Sequence, residues 1–84
     1  MVYDTPEKLM MLDIRMAHKH ANDKHGQFRN THEFYGVLME EVYEVLQAIH
    51  ANDDRATYSE IKDVVATCTK AMVMLREKQK KDVL

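Results

Sequence analysis

An all-α fold is predicted from three features of the 84-residue chain. It contains only two Gly and one Pro, it has no strand-like alternation of useful length, and its apolar residues recur at steps of three and four. Three helices account for nearly the whole sequence, expected at about residues 6–22, 31–51 and 55–80 of a single domain spanning 1–84. So small a chain buries a low fraction of its surface, and such chains draw on disulfides, a metal or oligomerisation for stability. Cys68 is the only cysteine, so no disulfide forms within the chain, and its apolar neighbours mark it as a buried structural thiol. Metal binding and self-association remain.

The first helix opens at Thr5-Pro6, with Thr as the cap and Pro at the first helical position. Met10, Ile14, Ala17 and Ala21 form one stripe along it, which Leu9, Leu12 and Met16 broaden. The connection DKHGQFRNT, residues 23–31, contains Gly26, which permits a left-handed turn. Asn30-Thr31-His32-Glu33 reads as a capping box for the second helix. Asn52-Asp53-Asp54-Arg55 is a polar break, and the third helix trails off through EKQKKDVL, where Lys suits the C-terminal dipole. The second helix is apolar over about half its circumference, more than a single packing contact requires. The bundle is therefore expected to be completed by dimerisation or by a higher even-numbered assembly.

Composition narrows the function classes. Apolar residues make up 45% and charged residues 31%, a globular profile, and no signal peptide or apolar run of about 20 residues is found, so a soluble cytoplasmic protein with no membrane contact is expected. A net charge of −2 argues against duplex nucleic acid as a partner, because phosphate neutralisation calls for a basic domain. It does not argue against a nucleotide accompanied by metal ions.

One residue breaks the apolar pattern of LMEEVYEVLQA, residues 38–48. On a wheel of about 100° per residue, Glu41 falls inside the apolar arc, flanked by Phe34 and Val45 on one side and by Val37 and Ala48 on the other. Glu44, three residues on, lies at the arc's border, while Glu40 falls further towards solvent. The third helix repeats the device. Its arc is centred on Ile61, Val64, Val65, Cys68, Ala71, Met72 and Leu75, with Glu60 at one edge and Asp63 just beyond it. Four converging carboxylates cannot all stay ionised in a bundle interior, so they either protonate or share a cation. Oxygen donors alone suit Mg²⁺ or Mn²⁺. Two plainer readings compete on the third helix: Glu60 completes a capping box with Thr57, and Asp63 is a first-turn acid favoured by the dipole. His18, His20, His25, His32 and His50 include no i, i+4 pair on one helix, so no histidine-held metal site is expected.

EEVYE (Glu40 to Glu44), fifteen residues, and then EIKD (Glu60 to Asp63) resembles the EExxE…ExxD pattern of the all-α nucleoside triphosphate pyrophosphohydrolases, the superfamily of MazG-like proteins and dimeric dUTPases. The preceding KHGQFRNTHEFYGVLMEE is similar to the entry of the EExxE helix in short, often phage-encoded MazG-like proteins, and the resemblance spans roughly residues 17–75. It implies a helical bundle assembled from subunits, which uses Mg²⁺ to hydrolyse a nucleoside triphosphate to the monophosphate and pyrophosphate. By match to the motif, Glu41, Glu44, Glu60 and Asp63 are the implied metal ligands, with Glu40 and Glu41 as catalytic acids, Glu40 either supporting the ligands from behind or helping to orient the attacking water. The family's basic and amide residues after ExxD are missing here, where VVATCTKAMVML offers only Lys70, expected on the solvated face opposite the core. Lys24, His25 and Arg29 of the first connection are the phosphate-binding candidates instead. That departure keeps a second reading in view, a non-catalytic helical module that retains the fold and binds a protein partner.

Overall fold

The helices run α1 (Pro6–His25), α2 (Thr31–His50) and α3 (Asp54–Val83) in a computed structural model that describes residues 5–83, apart from the side chains at 24, 25 and 81–83. The ends follow local chemistry. Thr5 accepts a hydrogen bond from the Lys8 N–H at 3.2 Å, with Pro6 at the first helical position. α1 continues nearly a turn beyond the expected Asn22, and stops where Gly26 takes a φ of 70° and donates its N–H to the Asn22 carbonyl at 2.9 Å. Asn30 caps α2 by accepting the Glu33 N–H at 2.9 Å. The Glu33 carboxylate also reaches back, but to Arg29, whose backbone N–H and guanidinium Nε donate to it at 3.3 and 2.8 Å. The reciprocal bond of a capping box is thus displaced by one residue.

α2 and α3 are separated by a tight turn in which Asn52 takes the left-handed conformation, φ 56°. Asp53 then accepts the Ala56 N–H at 3.0 Å, so the third helix is capped at Asp53. Thr57 lies inside that helix, with its hydroxyl donating to the Asp53 carbonyl at 2.8 Å. A capping box of Thr57 with Glu60 is therefore excluded as the explanation of Glu60.

α3 is the spine. It packs against both α1 and α2, while α1 and α2 make no contact with each other among the described residues. The Tyr58 hydroxyl donates to Asp13 at 2.6 Å and fastens the start of α3 to α1. The molecule measures 46 × 39 × 20 Å, so it is about two helix diameters thick. Phe28, Ala48, Ala66 and Ala71 form the buried apolar core, and among the described residues no large side chain is fully enclosed.

The orientation of α3 corrects the expected one. Its inner face carries Ala66, Thr67, Lys70 and Ala71, all buried, whereas Ile61, Met72 and Leu75 of the apolar arc face outward. The inner face lies roughly a third of a turn from the centre of that arc. Small side chains explain the choice, since the separation of packed helices is set by the residues at their contact. Lys70, expected in solvent, is accordingly only 5% exposed. On α2 the inner face holds Phe34, Val37, Glu41, Val45 and Ala48, and an outer stripe of Tyr35, Met39, Val42, Tyr43, Leu46 and Ile49 lies open. α1 likewise turns Ile14, Ala17 and Ala21 inward and leaves Leu9, Met10, Met11, Leu12 and Met16 exposed. Cys68, expected to be buried, is half-buried.

The Asn30 cap is tested by Asn30→Ala. Loss of the one side-chain acceptor for the Glu33 N–H is expected to cost about 1 kcal/mol. A thermal melt is expected to show a drop of about 4–8 °C, with helix content at low temperature unchanged.

Candidate metal centre

Packing α2 against α3 brings their acids together. One carboxylate oxygen each from Glu41, Glu60 and Asp63 lies within 4.8 Å of the others, the one group of three such ligands among the described residues. Oε2 of Glu41 and Oε2 of Glu60 are buried without a hydrogen-bond partner. Orphaned acceptors of this kind are expensive. Their acidities register the crowding. Burial, joined by repulsion from Glu44, Asp63, Glu60 and Glu40, pushes the Glu41 carboxyl up to about 6. Glu60 is also raised, first by burial and then by a hydrogen bond and repulsion from Glu44 and by the charge of Asp63.

The expected acids are thus not all equivalent. Glu41, Glu60 and Asp63 converge, while Glu44 is exposed and stands against Glu60 outside the group of three. Glu40 is exposed at the edge of the adjoining cleft. The donor set is all carboxylate oxygen, two members have unused buried lone pairs, and no His or Cys joins them, so these residues fit a hard divalent cation.

Beside the acids a cleft of about 800 Å³ separates α1 from α2, with α3 as its floor. Asp13, Glu33, Glu40, Glu41 and Asp63 line it, as do Phe28, Thr67 and Lys70, the last two lying one and two turns beyond Asp63 on α3. Phe28 comes from the first connection, and its ring meets Phe34 with centroids 5.7 Å apart at 55°. The Lys70 Nζ sits 4.5 Å from the centre of the Phe28 ring. Burial pulls the Lys70 ammonium below the usual lysine range, opposed by the charge of Glu33. Neither Phe28 nor this role for Lys70 was expected. The available signal was spacing: Lys70 follows Asp63 by seven residues, two turns along the same side of the helix.

Arg29 is not gathered into the site. Its side chain is 86% exposed and held by Glu33, and it faces a small groove beside Asn30, Met74 and Lys78. Lys24 and His25 fall at the end of α1, and their side chains lie outside the described residues.

The raised pKa of Glu41 gives the metal-free protein a pH dependence of definite sign. Its folded-state carboxyl holds a proton up to about pH 6, above the ordinary value of 4.5, so between those values the folded state binds more protons. Stability therefore falls as pH rises through this window. Glu41→Gln is expected to flatten that part of the profile and to stabilise the chelator-treated protein at pH 7 by on the order of 1 kcal/mol, as measured by denaturant titration.

The profile of the MazG nucleotide pyrophosphohydrolase domain matches residues 29–83, a span that contains both acidic helices and well over half of the chain. No curated protein and no solved structure matches it. No described helix is long and apolar enough to cross a membrane. With three converging acids on the two helices that the profile spans, the chain belongs to the MazG nucleotide pyrophosphohydrolase family.

Proposed function

We propose that the protein is a Mg²⁺-dependent pyrophosphohydrolase that converts a nucleoside triphosphate to its monophosphate and pyrophosphate. The observation that carries this reading is the group of Glu41, Glu60 and Asp63 beside an open cleft, in a chain matched by the pyrophosphohydrolase domain. Glu41, Glu60 and Asp63 would hold the ion, which would also relieve the repulsion that exposed Glu44 adds at Glu60. Mn²⁺ suits the same oxygen donors. A bound divalent cation supplies charge neutralisation of the triphosphate and a water of lowered pKa.

The chain's own part is positioning and proton transfer. The cleft orients the triphosphate with its α-phosphorus towards the acids of α2 and α3. Glu40, exposed at the cleft edge, accepts a proton from the attacking water on a carboxylate oxygen. The new bond joins water oxygen to the α-phosphorus, the α–β anhydride bond breaks, and pyrophosphate leaves. Repulsion among the acids raises the energy of the ion-free centre and so favours cation uptake.

A second element of the reading is self-association. The outer stripe of α2 presents more exposed apolar surface than an isolated small domain normally leaves to solvent, and Leu9, Leu12 and Met16 on α1 add to it. A homodimer or homotetramer covers it.

Three measurements test these statements. Pyrophosphate release from a panel of ribo- and deoxynucleoside triphosphates is expected only with Mg²⁺ or Mn²⁺, and Glu41→Ala is expected to reduce it by more than about 100-fold. No release from any nucleotide by folded protein rejects the catalytic reading and leaves the interaction-module alternative. Either cation at about 100 times its Kd is expected to raise unfolding free energy by about 2.7 kcal/mol, a gain that Glu60→Gln removes. Sedimentation velocity is expected to report a dimer or tetramer, and Met39→Glu combined with Leu46→Glu a folded monomer.

A further inference from the structure

We propose that Lys70 selects the nucleobase: its ammonium, held over Phe28 two helical turns from Asp63, donates a hydrogen bond to a carbonyl oxygen of the base. The inference rests on the pyrophosphohydrolase reading and adds a substrate class to it. Lys70 is 5% exposed yet lines the cleft. Its ammonium lies against a ring face and, among the described residues, forms no ion pair: Glu33, which lines the same cleft and whose charge acts on Lys70, is paired with Arg29. A buried cation without an oxygen partner carries a desolvation penalty that a cation–π contact offsets only in part. An oxygen acceptor supplied by the ligand removes that penalty.

Geometry decides which oxygen. Asp63 and Lys70 are seven residues apart on one helix, about 10 Å along its axis. The triphosphate oxygens are drawn to the acids and their cation, so the nucleoside is the part of the ligand that extends two turns further. Thr67, one turn short of Lys70 and also lining the cleft, adds a hydroxyl on the same path. The base edges then differ. Guanine O6 and the O4 of thymine or uracil accept from an ammonium, whereas adenine and cytosine place an amino donor at the corresponding position. A Phe28-positioned ammonium therefore favours bases with a carbonyl there and rejects those with an amine.

The test compares two purine nucleotides that differ at C6, carbonyl in one and amino in the other. Dissociation constants are measured calorimetrically for non-hydrolysable inosine and adenosine triphosphate analogues with Mg²⁺. The parent is expected to bind the inosine analogue at least about tenfold more tightly. Lys70→Met keeps the buried stem and is expected to erase that ratio by weakening only the inosine analogue. Lys70→Gln keeps a donor and is expected to retain part of the preference. A parent ratio near one overturns the proposal even if neither variant folds. An equal loss for both analogues in Lys70→Met also overturns it, since that pattern marks a phosphate contact, and so does no change in either. Failure of the parent to bind either analogue rejects the pyrophosphohydrolase reading itself, and this proposal with it.

Discussion

Three carboxylates confined within 4.8 Å at a half-buried helix interface set the terms for the rest of this small protein. Like charges in a poorly solvated place repel, and neither Glu41 Oε2 nor Glu60 Oε2 has a partner to offset that repulsion. The packing of α2 against α3 brings them together. Ala48 on one helix and Ala66 and Ala71 on the other are among the most buried residues in the molecule. Close packing and charge crowding are thus one feature.

The choice of inner face decides where the bulky side chains go. A helix has one circumference, and α3 spends its inner face on alanine, threonine, the acids and Lys70. Ile61, Met72 and Leu75 are left outside, as are Met39, Val42, Leu46 and Ile49 on α2. With no large side chain fully enclosed among the described residues, one chain gains limited stability from burial. The helix ends are correspondingly well made: Thr5, Asn30 and Asp53 each supply a side-chain acceptor to an otherwise orphaned N–H. The polar end of the cleft shows the same economy, since the Phe28 ring both fills the core and holds the Lys70 ammonium.

Much was determined by the sequence alone. Apolar spacing at three and four residues, few glycines and recognisable caps suffice for three helices with ends near those observed, because these signals act within a turn or two of chain. The inward position of Glu41 was legible for the same reason: angular position on a helix follows from residue number. The acid pattern, read together with its upstream segment, also pointed to the family that residues 29–83 match.

What only the tertiary structure decided is which side of each helix meets its neighbours, and which acids finally touch. Periodicity locates an apolar arc but does not distinguish a face packed within one chain from a face left open. On α3 these differ, so Ile61 and Met72 turned outward and Lys70 inward. Capping could have explained Glu60 until Asp53 proved to be the cap. Glu44 shares its helix flank with Glu41, yet it stands outside the group of three, because convergence depends on the separation and crossing of two helices. Those quantities arise from side-chain volumes summed across an interface, and spacing along a single helix does not encode them.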